Sequence, residues 1–193
     1  MYGFGYTSII SSMKKVGGGP AMGALTTAWI TATSETDITI ISALNTLETD
    51  LTTYGLTSKI KALYPMVGGT ATKHKFNFMD ARDLDAAYRL TFFGGGTHSS
   101  TGYQPNGTNA YATTFFNPTT AGLGQNSACY GAYSRTQSTG NTAFLGVYNV
   151  ANTINVSIFP NYATNQLYSS LNGLESYTLP YTNTNSRGKT RLG

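Results

Sequence analysis

Cysteine occurs once, at Cys129, so no intrachain disulfide and no cysteine-built metal cage can form, as expected of synthesis in a reducing cytosol. The only histidines are His74 and His98, and they do not have the close spacing of a metal-ligand pair. Charge is scarce: Asp, Glu, Lys and Arg make up 10% of the chain, against ~25% in ordinary soluble domains. Beyond Asp85 the only carboxylate is Glu175. Glycoside hydrolysis needs a pair of carboxyl groups across one bond, so a glycan-cleaving enzyme would require Glu175 to fold against Asp80 or Asp83. That reading ranks last, and no enzymatic activity is expected. No run of about 18 apolar residues occurs, which gives no membrane insertion. The net charge of +4 is spread along the chain, with only Arg187, Lys189 and Arg191 close together. Phosphate binding needs clustered cations, so nucleic acid is not expected as a partner.

In place of charge the chain has Gly, Thr, Asn, Ser and Tyr, with 40% hydrophobic and 12% aromatic residues, enough to order a core. The length of 193 residues suits one main domain with an appendage. Residues 1–20 read as an N-terminal arm closed by Gly17, Gly18, Gly19 and Pro20, which can continue neither helix nor strand. Its aromatic residues Tyr2, Phe4 and Tyr6 have too few neighbours to bury one another and are expected to dock on something else; a disordered terminus is the plainer alternative. Lys14 and Lys15, with the apolar residues up to Ala32, imitate a signal peptide, but the glycines and Pro20 interrupt the run and favour a linker.

Residues 21–61 are read as linker followed by one helix. Ser34 can serve as its N-cap with Asp37 as the N3 acceptor, and Ile40, Leu44, Leu47, Leu51 and Tyr54 recur at steps of 4, 3, 4 and 3 along a single stripe. Gly55 stands where a left-handed cap belongs, and a short turn can follow from Thr57 through Ile60. The stripe either packs on its own domain or forms an oligomer seam, since two heptads are too short to be stable alone.

Residues 62–193 change to short Val-, Tyr-, Phe- and Thr-rich runs between Gly, Asn, Pro and Ser clusters. Strands are predicted at 63–67, 75–78, 89–93, 110–116, 128–135, 142–148, 153–159, 166–171 and 176–179, a texture of sandwiches and barrels. Within this region Asp80, Asp83 and Asp85 could offer oxygens to a cation, although the neighbouring Arg82 and Arg89 favour a salt-bridged turn. His98 beside Ser99 and Ser100 lacks an orienting acid, and Gly94, Gly95 and Gly96 lack the lysine of a phosphate loop. No metal or cofactor site is assigned. Tyr and Asn are abundant at loop-like positions, and aromatic faces with nearby amides suit sugar rings and hydroxyls as well as any uncharged protein surface. The candidate ligand-binding residues are Tyr103, Asn106, Asn109, Tyr111, Tyr133 and Tyr162.

Three stretches carry a family resemblance: Ala62, Leu63, Tyr64 and Pro65 leading to Gly68 and Gly69; Gly94 through Gly102 with His98, Ser99 and Ser100; and Asn106, Gly107, Asn109 and Tyr111. Here the chain resembles a concanavalin/laminin-G-like lectin domain of the kind found in structural and fibre proteins of tailed bacteriophages. The resemblance implies a mainly β fold, an antiparallel jelly-roll sandwich, preceded by the arm and the short helical segment. It further implies a virion location, anchoring to other virion proteins through Tyr2, Phe4 and Tyr6, and contact with a host-cell surface glycan. A homo-oligomer is expected, preferably a trimer built on Ile40, Leu44, Leu47, Leu51 and Tyr54. The rival expectation is a purely architectural protein that binds capsid or tail proteins and no glycan.

Overall fold

The computed structural model describes residues 21–123, 128–135, 143–148, 155–162, 166–173 and 176–180, and the chain divides into two compact units, Met1–Asn117 and Pro118–Gly193. The arm with Tyr2, Phe4 and Tyr6 lies outside the described residues.

The first unit is built around two helices, α1 (Ala24–Thr33) and α2 (Ile38–Thr53). The stretch expected to be linker is thus helical. Its threonines disguise it, because β-branched residues are weak helix formers. Several donate to the carbonyl one turn back instead, Thr27 to Gly23, Thr31 to Thr27 and Thr33 to Trp29, each at 2.8 Å. The N-terminus of α1 is capped from outside. Gly23 at the N-cap has no side-chain acceptor, but the Glu48 carboxylate of α2 accepts from Leu25 N (2.9 Å), Thr26 N (2.8 Å) and Thr26 Oγ1 (2.7 Å). Asn45 Oδ1 accepts from Gly23 N at 2.8 Å, and a Cβ at Gly23 would overlap the Glu48 carboxyl group. The expected N-cap, Ser34, instead ends α1 in a left-handed conformation, and Asp37, expected at the third position, is itself the N-cap of α2, accepting from Thr39 N at 2.8 Å.

The buried stripe of α2 is Ile41, Leu44, Glu48 and Leu51. It meets Trp29 and Ile30 of α1 in a core completed by Phe76 and Phe78, with Ile40 and Leu47 packed at its margin. Burying side chains of this size contributes about 1.5–3 kcal/mol each. The stripe expected as an oligomer seam is therefore occupied by the unit's own core at Leu44 and Leu51, while Tyr54 is 74% exposed.

Two predicted strands are absent for one shared reason. Residues 63–67 and 75–78 are joined through Asn77, which is 0% exposed. Its Oδ1 accepts from Leu63 N (2.9 Å) and Met79 N (3.1 Å), and its Nδ2 donates to Lys61 O (3.2 Å) and Ala87 O (3.1 Å). A side-chain hub thus replaces a ladder, and the buried Phe76 and Phe78 only imitate strand alternation. Ahead of them, residues of the 75–78 segment follow a short helix, α3 (Ala71–His74).

The remainder of this unit holds two small antiparallel sheets. Strand β1 (Thr91–Phe93) pairs with β4 (Tyr111–Thr113), and β2 (Thr97–Ser99) with β3 (Gly102–Gln104). The sequence reading omitted β2 and β3, three-residue strands set among glycines. Among its described residues the second unit holds a four-stranded antiparallel meander, β5 (Leu145–Tyr148), β6 (Asn155–Tyr162), β7 (Gln166–Gly173) and β8 (Ser176–Pro180). The register of β6 on β7 shifts between Phe159 and Tyr162, where Pro160 has no N–H for the ladder. The predicted strand at 128–135 is not formed; there Tyr130 Oη donates to Ser157 O at 3.0 Å, tying this segment to β6 by a side chain. Strands are antiparallel throughout, but helices and small sheets are mixed, so the described architecture is α plus β rather than predominantly β.

Candidate ligand-binding surface

Alternation along β1 sends neighbouring side chains to opposite faces. Phe92 turns inward, where its ring lies 4.5 Å from that of His98 and 4.8 Å from that of Tyr103, joining the two small sheets. Phe93 turns outward and pairs across the ladder with Tyr111. Their rings stack at 5.0 Å with an interplanar angle of 19°, and they remain 42% and 55% exposed.

The loop beside this pair is tied by Asn106. Its Oδ1 accepts from Thr108 N (3.0 Å), Asn109 N (3.1 Å) and Ala110 N (3.0 Å), and its Nδ2 donates to Gly94 O (2.6 Å) and Asn109 Oδ1 (2.8 Å). Gly94, at φ +76°, is pressed so close to the Asn109 carbonyl that a Cβ would overlap it. Asn106 is thereby fully engaged in holding the loop. Asn109, whose Oδ1 accepts from Asn106, is exposed and stands two residues before Tyr111 in the chain.

Of the residues expected to bind a ligand, Tyr111, Asn106 and Asn109 come together here, with Asn106 positioning the others. Tyr103 does not join them: its ring packs against His98 at 4.7 Å, and its hydroxyl is buried without a partner. Burial raises its pKa. Tyr133 is 69% exposed but belongs to the second unit, and Tyr162 lies in β6. Phe93 was missed by the sequence reading, which took it only as part of a strand; its signal was the cross-strand partner that the pairing of β1 with β4 supplies.

Behind the surface, His98 Nδ1 faces His74 Nδ1 at 2.9 Å, and His74 is 1% exposed. Burial, reinforced by the neighbouring His98, pushes the His74 pKa down to about 4, and burial lowers that of His98 as well. At neutral pH one ring donates and the other accepts, so His98 is directed at His74 and not at Ser99, whose Oγ pairs with Thr101 Oγ1 at 2.9 Å. The carboxylates are engaged too. Asp80 pairs with Arg82 (2.5 Å), Asp83 with Lys75 (2.5 Å) and Arg89 (3.1 Å), and Asp85 with Arg89 (3.0 Å). The acidic cluster is a salt-bridged turn, and among the described residues no group of three or more His, Cys, Asp or Glu could hold a metal ion. Glu175, the proposed partner of Asp80 or Asp83 in hydrolysis, lies outside the described residues. Glu35 is buried, which alone would raise its pKa, but the N–H groups of Asp37 and Thr36 and the Lys73 ammonium at 3.0 Å outweigh this and hold it below the usual carboxylate value.

No protein-family model, no curated protein and no solved structure matches this chain.

Proposed function

We propose that the chain is a bacteriophage virion protein, a fibre or decoration subunit without catalysis of its own, that presents a lectin-like surface to a host-cell glycan. The observation that carries this reading is the exposed Phe93 and Tyr111 stack, flanked in the chain by the Asn106 loop that includes the exposed Asn109. Aromatic faces with an exposed amide in the adjoining loop suit a pyranose ring, which has apolar C–H faces and a rim of hydroxyls. The motifs from Leu63 to Tyr111 that resemble phage lectin-like domains support the virion setting. In this reading the β5–β8 meander is part of a jelly-roll sandwich, and the arm carrying Tyr2, Phe4 and Tyr6 attaches to other virion proteins. Assembly as a homotrimer belongs to the same proposal. With Leu44 and Leu51 in the core, its helical contacts would fall to the exposed Ile38 and Tyr54.

The architectural alternative is favoured by a second feature, an open groove of about 450 Å³ along α1, with Leu25, Ala28, Ala32 and Phe78 in its lining. The deciding experiment measures binding of the full-length protein to bacterial host cells and their extracted surface polysaccharide, beside Tyr111→Ala and Asn109→Ala. Saturable binding lost in the variants supports glycan recognition; no binding by a folded protein supports the architectural role.

A further inference from the structure

From Leu90 through Ser134 the sequence holds no Asp, Glu, Lys or Arg. This stretch builds all four strands of the two small sheets and the Asn106 loop, so the aromatic surface and its surroundings in the chain carry no formal charge. The charged side chains that precede it, from Lys73 to Arg89, are all in ion pairs with one another or with Glu35. An anionic ligand would find no cation to meet it here, and a cationic one no carboxylate. The exposed groups of the ring pair and its adjoining loop are instead two stacked rings, the Asn109 amide and the Thr108 hydroxyl.

We propose that the Phe93 and Tyr111 platform selects uncharged glycan, taking a neutral pyranose on its rings and hydrogen-bonding that sugar's hydroxyls through Asn109. This rests on the glycan-recognition reading above and specifies the ligand class. A protein partner fits less well: a stable protein interface covers about 800 Å² per side around a packed apolar centre, whereas a single pair of side chains offers the area of one or two sugar rings. The loop needs no rearrangement to bind, because Asn106 and the tight approach at Gly94 already fix it.

The test uses the full chain and a panel of polysaccharides: neutral dextran, mannan and galactan, and anionic hyaluronan, alginate and polysialic acid. Each is measured at about 0.01 M and about 1 M salt, between which the screening length falls from roughly 30 to 3 Å. The expected result is binding confined to neutral polymers and changed less than about twofold by salt. Phe93→Ala and Tyr111→Ala should each weaken it about tenfold, the loss of one ring contact, while Phe93→Trp retains it. Unfolding curves followed by Trp29, the only tryptophan, verify that each variant is folded. Salt-sensitive binding confined to anionic polymers overturns the neutral-ligand inference and leaves glycan recognition standing. If no polymer binds, both fall. If the alanine variants instead alter self-association in sedimentation, the platform is a protein contact and the inference fails.

Discussion

Replacing Glu48 by alanine removes an acid from the middle of an apolar helix stripe, which by hydropathy alone would stabilise the protein. The opposite is expected. The carboxylate receives three hydrogen bonds from the first turn of α1, at 2.7 to 2.9 Å, and Thr26, which supplies two of them, is 0% exposed. Losing an N-cap costs about 1–2 kcal/mol, and each buried donor left without a partner adds about 1–3 kcal/mol. Against this stand the relief of a buried charge and alanine's better helix propensity, each a partial offset. The net loss should be about 3 kcal/mol, or a drop of roughly 15 °C in melting temperature for a unit of this size. Glu48→Gln, which keeps one acceptor oxygen but turns an amide N–H2 toward the same donors, should lose about half as much. Thr26→Val should lose about 1 kcal/mol, and the double variant should lose less than the sum, because both changes remove the same Oγ1 bond. Urea unfolding read by Trp29 fluorescence measures all four proteins, since that residue lies on α1 and is 1% exposed. A Glu48→Ala protein within about 0.5 kcal/mol of the parent would refute the capping role.

Three further outcomes are expected. Asn77→Ala should destabilise by about 4 kcal/mol in the same urea assay, because four hydrogen bonds converge on a fully buried amide, and Asn77→Asp should fare no better with a carboxylate against the Lys61 and Ala87 carbonyls. Gly94→Ala and Gly95→Ala both place a side chain at φ +76°, but only the first drives it into the Asn109 carbonyl, so Gly94→Ala should lower stability by about 2 kcal/mol more than its neighbour; equal losses would show that the loop yields. His74 keeps its proton off down to about pH 4 when folded, whereas an unfolded histidine takes one up near 6.5, so the unfolded chain binds more protons in between. Stability is therefore full above about pH 6.5 and falls on acidification, by about 2 kcal/mol between pH 7 and 5, and a His74→Phe protein should show a flatter profile over that interval. The Glu35 contribution has the acid sign and a lower window: it is present above the unfolded carboxylate value of 4.5 and disappears only as the pH falls through its depressed folded value.

What could be read from the sequence was whatever is encoded locally. The 3.6-residue period of α2 is visible within a single window, although the cap expected at Ser34 lies three residues early, and so are the apolar runs that became β1, β4 and β5 to β8. Helix α1 was not legible because both of its supports are remote: its cap comes from Glu48, and its burial against Ile41 and Leu44 depends on a neighbouring helix. The segment at 63–67 failed as a strand for a similar reason. Beside the bond from Phe78 N to Leu63 O, Leu63 N donates to the side chain of Asn77, fourteen residues on and indistinguishable in sequence from any loop amide. Three of the four residues of the candidate surface were legible, since Asn106, Asn109 and Tyr111 sit in one motif. Phe93 and the inward turn of Tyr103 required the strand register, because a one-residue change of register exchanges the two faces of a strand.

These polar contacts and the aromatic surface belong to one distribution of charge. With few ionic groups to place, the first unit uses Glu48 as a buried cap, pairs Glu35 with Lys73, and ties its acidic turn to Lys75, Arg82 and Arg89. The glycine-, threonine- and asparagine-rich stretch from Leu90 onward is left to solvate itself with hydroxyls and amides. Such a surface would bury its aromatic rings if nothing else acted, and Phe92 and Tyr103 are placed inward in that way. Phe93 and Tyr111 are not, although Phe93 shares β1 with Phe92 and each could gain about 1.5 kcal/mol or more by burial. Their loop is also over-determined: five hydrogen bonds from one asparagine and a glycine at positive φ are more than a simple connection between two three-residue strands requires. The proposed stacking of a ligand rests on this combination of an exposed pair of rings with a rigid loop beside it in the chain.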